Sequence, residues 1–153
     1  MVDIVSLRDA YRTHKLALFD QLRSARAPTR SVHTVLRQLA ALADETLGAL
    51  WADAGFGQRL ALVAVGGFGR GELFPYSDVD VLLLLPEGED SGVEPGRIEA
   101  FIGQCWDAGL EIGSSVRTVS ECLAEAAKDV TVQTSLLESR LVIGDKKLYA
   151  SFR

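Results

Sequence analysis

Two aspartates open the most apolar run of the chain, and this combination limits what the chain can fold into. Asp78 and Asp80 alternate with valines directly before the apolar run Val81 to Leu85. A short aliphatic run of this kind predicts a buried β-strand, which we expect from Asp78 to Pro86. Because side chains alternate between faces along a strand, both carboxylates would project to the same side. The fold must therefore satisfy two neighbouring negative charges at the edge of its core.

A divalent cation is the simplest partner for these two charges. Carboxylates held this close repel each other, and hard oxygen ligands suit Mg²⁺. We therefore predict that Asp78 and Asp80 bind Mg²⁺. The alternative is that they are solvated surface carboxylates, as most isolated Asp-x-Asp pairs are. The adjoining buried strand favours a ligand, because burying an unpaired charge is costly.

A glycine-rich turn precedes the aspartates. Four glycines lie between Gly66 and Gly71, and they free the backbone to present successive N–H groups at the start of a helix. Such an arrangement suits phosphate oxygens, and Gly66 and Gly67 are the candidates to bind them. The stretch is not a P-loop, since Glu72 and Leu73 replace the required Lys and Ser/Thr, and it lacks the Rossmann spacing. An ordinary tight turn is the alternative interpretation.

Two polar residues of the same stretch are further candidates. Arg70 could bind a phosphate or pair with Glu72 or an aspartate. Ser77 could donate to a phosphate, although capping the turn is the favoured role. A glycine turn and a carboxylate pair within fifteen residues together predict Mg²⁺-dependent chemistry on a nucleoside triphosphate.

Composition narrows the possible partners. The 153 residues are 48% hydrophobic and carry 16 basic against 21 acidic side chains, a net charge of −5. This balance argues against sequence-independent nucleic-acid binding, which draws on basic patches. Cys105 and Cys122 form no metal-binding spacing, no secretory signal is evident, and no apolar run approaches the roughly 20 residues of a membrane span. We expect a cytoplasmic protein without nucleic-acid or membrane partners.

Periodicity predicts helices around a small sheet. Two N-terminal helices are expected from Ile4 to about Arg26 and from about Ser31 to Ala54, followed by a strand from Leu60 to Val65. Another helix is expected to start near Pro95 and to end near Gly109. These elements predict an α/β (α+β) fold, with a small mixed sheet of at least three strands flanked by helices and an N-terminal helical hairpin.

The third predicted strand, residues 110–119, presents a polar face. Alternation places Glu111, Gly113, Ser115 and Arg117 on one side, where Arg117 could pair with Glu111. Ser120 is the expected cap of the following helix. Residues 131–153 are predicted to continue as helix, interrupted by a turn at positions 144 and 145.

These motifs resemble the nucleotidyltransferase superfamily that includes DNA polymerase beta. Its signature is an apolar residue and Gly-Gly or Gly-Ser, followed by an acidic pair that alternates with apolar residues. The corresponding residues here are Val65-Gly66-Gly67 and Asp78-Val79-Asp80-Val81. More specifically, three blocks resemble the N-terminal catalytic region of the bifunctional PII-protein uridylyltransferase/uridylyl-removing enzymes. The blocks, in order, are GGFGRGELFPYSDVDVLLLL, WDAGLEIGSSVRT and LLESRLVIGD.

The resemblance implies transfer of UMP from UTP to a tyrosine hydroxyl of the nitrogen-regulatory protein PII. Two Mg²⁺ ions about 3.5 to 4 Å apart would orient the hydroxyl and the pyrophosphate leaving group. Asp78 and Asp80 would hold them, and Glu111 is the preferred third carboxylate, with Asp107 as its rival. Gly66, Gly67 and Arg70 are the residues that the resemblance assigns to the triphosphate.

The resemblance also predicts a division of the chain and two alternative functions. Residues 1–56 would form the N-terminal helical segment, and residues 57–153 the nucleotidyltransferase core. The hydrolase and glutamine-sensing domains of the family are absent from the sequence, so we expect a fragment. The alternatives are an adenylyltransferase of the kind that modifies glutamine synthetase, and a catalytically silent nucleotide-binding module. The choice of UTP rests on the resemblance and not on residue spacing.

Overall fold

The computed structural model describes residues 3–24, 29–57, 59–73, 78–86 and 95–152. The helices are α1 (Ile4–Ser24), α2 (Thr29–Ala54), α3 (Gly66–Gly69), α4 (Pro95–Asp107), α5 (Val119–Lys128), α6 (Val130–Leu137) and α7 (Lys146–Phe152). The strands are β1 (Ala61–Ala64), β2 (Val79–Leu85), β3 (Ile112–Thr118) and β4 (Arg140–Gly144). The predicted N-terminal helical hairpin and the first three strands are confirmed. Across the described ranges, no helix combines the length and apolar character needed to cross a membrane.

The strands form one mixed sheet in the order β3-β2-β1-β4. β1 runs antiparallel to β2 and β4, whereas β2 and β3 are parallel, which confirms the predicted mixed sheet. The parallel pair places Asp80 opposite Gly113. Partner residues on neighbouring strands project to the same face, and the strand period of two puts Asp78 and Glu111 on that face as well.

One face of the sheet is closed by α1, α2 and α4. The apolar stripe of α2 includes Leu47, which is buried in one cluster with Leu62 of the sheet. Trp51, Phe56 and Phe101 join α2, the following loop and α4 through edge-to-face contacts with ring centroids 5.0 to 5.6 Å apart. The helical hairpin therefore shares a hydrophobic core with the sheet.

The opposite face of the sheet carries Asp80, and its hydrophobic core is smaller than that of the closed face. There α5 and α7 pack against the sheet, and Val63, Leu82 and Cys122 belong to a second buried cluster. This cluster lies beyond Asp80 along β2, so the carboxylate end of the face remains accessible. The sheet thus separates a closed face, which stabilises the fold, from an open one.

The strand β4 corrects the sequence-based prediction, which made this segment helical. Its register places Leu62 opposite Ile143 and Ala61 opposite Gly144. Gly144 has a φ of +112°, and a Cβ there would lie 2.3 Å from the carbonyl oxygen of Leu60, so only glycine fits this approach to β1. Long-range pairing with β1 overrides the helical periodicity of the preceding residues.

The predicted cap at Ser120 is also wrong. Thr118 caps α5, because its side chain accepts a hydrogen bond from the Glu121 backbone N–H while the Glu121 carboxylate accepts one from the Thr118 N–H. This reciprocal pair is a capping box, for which the pattern Thr-x-x-Glu was present in the sequence. The helix consequently starts directly at the end of β3.

The chain is expected to lose stability as the pH rises above 9, because buried thiol and phenol groups resist ionisation. Burial raises the pKa of the Cys105 thiol from 9.0 to about 12. Burial, with a contribution from the charge of Glu111, raises the pKa of the Tyr11 hydroxyl from 10.0 to about 12. In these windows the unfolded chain has lost protons that the folded chain retains, so unfolding releases protons and is favoured by alkali.

Urea unfolding at a series of pH values measures this effect. Each group should lower the free energy of unfolding by about 1.4 kcal/mol per pH unit within its window. Cys105→Ala should reduce the slope between pH 9 and pH 10, where the Tyr11 hydroxyl does not yet contribute. A smaller slope should remain in this variant, because burial also raises the pKa of the Cys122 thiol. The same slope in this variant as in the unaltered chain would contradict the assignment to Cys105.

Candidate active site

The first element of the site is α3, which we call the glycine turn. The backbone N–H of Val65, just before the turn, donates to the carbonyl oxygen of Asp80 at 3.1 Å, so the turn starts beside β2. Gly66 has a φ of +61°, a conformation that side-chain-bearing residues rarely adopt. A Cβ at Gly69 would lie 2.1 Å from the carbonyl oxygen of Glu138. The turn therefore needs glycine at one position for conformation and at the other for space.

The second element is the carboxylate pair formed by Asp78 and Asp80 at the start of β2. Both side chains remain solvent-accessible. An ideal Cβ at Gly66 would lie 3.5 Å from Oδ2 of Asp80, and one at Gly113 would lie 2.8 Å from Oδ1. We call Gly66 and Gly113 the glycine bracket, because they flank the Asp80 carboxylate from the glycine turn and from β3.

The charges of the pair are not compensated by a described basic side chain. Within the described ranges, no ion pair joins Asp78 or Asp80 to Lys, Arg or His. Partial burial raises the pKa of Asp80 above its ordinary value, and the charge of Asp78 raises it further. A divalent cation would offset both effects, and the glycine bracket has no side chains to obstruct it. The pair therefore fits Mg²⁺ as a source of hard oxygen ligands.

The two alternatives for a third carboxylate lie in different settings. The carbonyl oxygen of Glu111 accepts a hydrogen bond from the Val79 N–H at 2.9 Å, which places this residue beside Asp78 on the neighbouring strand. Its charge also raises the pKa of Tyr11 on α1. Asp107 is the last residue of α4, and its side chain is exposed. No group of three or more His, Cys, Asp or Glu residues that could hold a metal ion occurs in the described part of the chain, so the third carboxylate stays a prediction.

A cavity of about 420 Å³ extends along the open sheet face from the carboxylate pair. Asp80 and Gly113 line it near the pair, and Arg117 lines it farther along β3. Thr131 and Leu136 of α6 also line the cavity. Its volume lies within the range of small-molecule sites, and its lining mixes apolar surface with a few polar groups. The carboxylate pair thus has space beside it for a ligand larger than a metal ion.

Arg70 and Arg117, for which the sequence predicted other ion-pair partners, pair with glutamates that sequence reasoning did not identify. Arg70 pairs with Glu138, at the end of α6, rather than with Glu72. Arg117 lies 3.7 Å from Glu125 of α5, rather than pairing with Glu111. Both arginines remain partly accessible, so neither ion pair removes them from the site. The predicted role of Arg70 toward phosphate is thus still a prediction, and Ser77 lies outside the described residues.

Arg140 is a structural support of the glycine turn that sequence reasoning missed. It donates two hydrogen bonds to the Asp44 carboxylate, at 2.7 and 3.2 Å, and one to the carbonyl oxygen of Phe68, at 2.9 Å. Its guanidinium also lies over the Phe68 ring, 5.1 Å from the centroid. One side chain therefore joins β4, α2 and the glycine turn. Its partners are 96 and 72 residues away, so no local pattern could reveal it.

Comparison with known proteins matches the site to one family. The family model described as nucleotidyltransferase domain matches residues 51–139, which contain the glycine turn and the carboxylate pair. A bifunctional uridylyltransferase/uridylyl-removing enzyme of Ralstonia nicotianae is 55% identical over 143 residues, covering 94% of this chain and 16% of the relative. Enzymes of the same name from Burkholderia lata and Burkholderia vietnamiensis are 49% and 50% identical over 150 residues, covering 98% of this chain and 17% of each relative. The chain spans about one sixth of the length of these relatives.

Proposed function

We propose, because this chain belongs to the nucleotidyltransferase family, that the protein containing it transfers UMP from UTP to a tyrosine hydroxyl of PII and releases pyrophosphate. The uridylyl group is supported by relatives named uridylyltransferases, which are about half identical to the chain over nearly its whole length. PII and its tyrosine are inferred from the family resemblance of the three sequence blocks.

One observation carries the catalytic part of this proposal. Asp78 and Asp80 stand at the start of β2 without a described cationic partner, and the cavity opens directly beside Asp80. A surface pair with no function would not need the glycine bracket around one of its carboxylates. The arrangement supports a metal-bound nucleotide whose phosphates lie at the pair and whose nucleoside extends into the cavity.

Mg²⁺ bound at the pair would neutralise phosphate charge and lower the barrier to displacement at phosphorus. Asp78 and Asp80 would hold it through their carboxylate oxygens. Gly66 and Gly67 would donate backbone N–H groups to the triphosphate, since the first N–H groups of a helical turn have no intrahelical acceptor. Arg70, which is partly accessible beside the turn, would add positive charge near the phosphates.

The transfer itself exchanges one bond for another at the α-phosphorus. The tyrosine oxygen forms a bond to this atom while the bond to the bridging oxygen of pyrophosphate breaks. A base accepts the phenolic proton. Glu111 is our candidate for this base, because it directly precedes β3 and lies beside Asp78. Pyrophosphate carries away the electron pair of the broken bond, so the reaction needs no further reactant.

The deciding experiment incubates the complete protein with Mg²⁺, each of the four α-³²P-labelled nucleoside triphosphates, and either PII or glutamine synthetase as the acceptor. We expect label from UTP on PII, none after EDTA treatment, and none on a PII variant whose acceptor tyrosine is replaced by Phe. Labelling from ATP instead of UTP would overturn the assigned nucleotide. Labelling of glutamine synthetase but not PII would favour the adenylyltransferase alternative.

A further inference from the structure

Position 113 on β3 holds a glycine that the backbone does not require. Gly113 is not among the residues with positive φ, so alanine could adopt its conformation. Among the described residues other than its chain neighbours, a Cβ there would meet only the Asp80 carboxylate within 4 Å, with Oδ1 at 2.8 Å and Cγ at 3.9 Å. Real Cβ atoms essentially never approach a neighbour as closely as 2.8 Å. The carboxylate of Asp80 is therefore the described neighbour that accounts for the glycine.

The strand register explains why these two residues meet. Asp80 and Gly113 are partners in the parallel β2–β3 ladder, and partners project to the same face. A side chain at position 113 would stand beside Asp80 and push its carboxylate away from β3. With glycine at position 113, Oδ1 of Asp80 lies against the β3 backbone, while Oδ2 faces Gly66.

We propose that Gly113 is a positioning residue for Asp80, because its missing side chain allows the carboxylate to adopt the orientation in which it binds the metal. This inference rests on the proposed function. Mg²⁺ demands nearly ideal octahedral geometry, so a displaced ligand oxygen weakens its binding. A methyl group at position 113 would force the Asp80 carboxylate, as the end of a flexible side chain, to turn away from this orientation. A misplacement of about 1 Å can reduce a rate by about 10²-fold.

The test compares Gly113→Ala with Gly103→Ala in the complete protein. Gly103 lies in α4, where an added Cβ would meet no described neighbour within 4 Å, so it is a matched control. Mn²⁺ binding is measured by electron paramagnetic resonance. The relevant site is the one that the unaltered protein has and the Asp80→Asn variant lacks. We expect Gly113→Ala to weaken this binding about tenfold or more and to slow UTP-dependent labelling by about 10- to 100-fold. Gly103→Ala should leave both unchanged.

The possible failures are distinguishable. If the unaltered protein has no Mn²⁺ site that Asp80→Asn removes, the proposed function itself is wrong. If that site exists and Gly113→Ala binds Mn²⁺ as tightly as the unaltered protein, only the inference about Gly113 is wrong.

A folding defect in Gly113→Ala would also give a decisive result. The double variant Gly113→Ala/Asp80→Ala removes the carboxylate that the methyl group meets, so a contact between the two sites is tested directly. Recovery of the urea midpoint of Asp80→Ala would support the inference. Continued unfolding in the double variant would overturn it, because the methyl group would then clash with something other than Asp80.

Discussion

Asp80→Asn is expected to reduce UTP-dependent labelling of PII by about 10³-fold, on the order of 4 kcal/mol of transition-state stabilisation. The amide keeps the size of the carboxylate but removes its charge, so it is a poor ligand for Mg²⁺. The fold should tolerate the change, because the carboxylate of Asp80 makes no described ion pair and its pKa is already raised by partial burial and by Asp78. Stability should therefore be retained while turnover is lost.

Labelling kinetics and urea unfolding of the same preparations separate these effects. Asp9→Asn is the matched control, since Asp9 lies on α1 with a side chain that is 68% exposed, and it should label PII at the unaltered rate. Full activity of Asp80→Asn would contradict the assignment of Asp80 as a metal ligand. Glu111→Gln and Asp107→Asn, assayed in parallel, identify the third carboxylate as the one whose loss slows labelling.

Gly69→Ala is expected to destabilise the fold by about 3 kcal/mol, because the added methyl group would meet backbone on two sides. Its Cβ would lie 2.1 Å from the carbonyl oxygen of Glu138 and 2.9 Å from that of Ala64. Backbone atoms cannot turn away as the end of a side chain can. The substitution must therefore separate the glycine turn from β1 or from the start of β4.

The urea midpoint of Gly69→Ala measures this loss, with Gly48→Ala as the control. Gly48 lies within α2, where an added Cβ would meet no atom of the described part of the chain within 4 Å. Alanine there should be neutral or stabilising by up to about 1 kcal/mol. Equal midpoints for the two variants would contradict the close approach at Gly69. The Arg70–Glu138 ion pair should also weaken in Gly69→Ala, because both residues border the displaced segment.

The parts of the fold that could be predicted are those with local signals. The aliphatic runs gave β1 and β2, and the alternation after Leu110 gave β3, because burial of one or both strand faces leaves a pattern in the sequence itself. The glycines and the aspartate pair also had a local signal, because the members of each group lie within a few residues of one another in the sequence. Thr118 and Glu121 also had a local signal, the capping box, which was not used.

The remaining features depend on contacts between distant segments. The segment of β4 is short and only partly buried, and it becomes a strand because β1 offers a free edge. The contacts of Arg140 with Asp44 and Phe68 likewise exist only after the chain has folded. The position of Gly113 under Asp80 depends on the register of two parallel strands, which alternation within either strand cannot determine.

The dependence of the glycine turn on β4 has a consequence for how the protein is made. Glu138 pairs with Arg70, directly after the turn, across 68 residues, and Arg140 contacts Phe68 of the turn across 72 residues. At a synthesis rate of about 5 to 20 residues per second, the ribosome adds this stretch in roughly 4 to 14 s. For most of that interval the nascent chain carries Asp78 and Asp80 but not the residues that fix the turn beside them. The half of the site predicted to bind phosphate can therefore be completed only after the half predicted to bind metal has been synthesised.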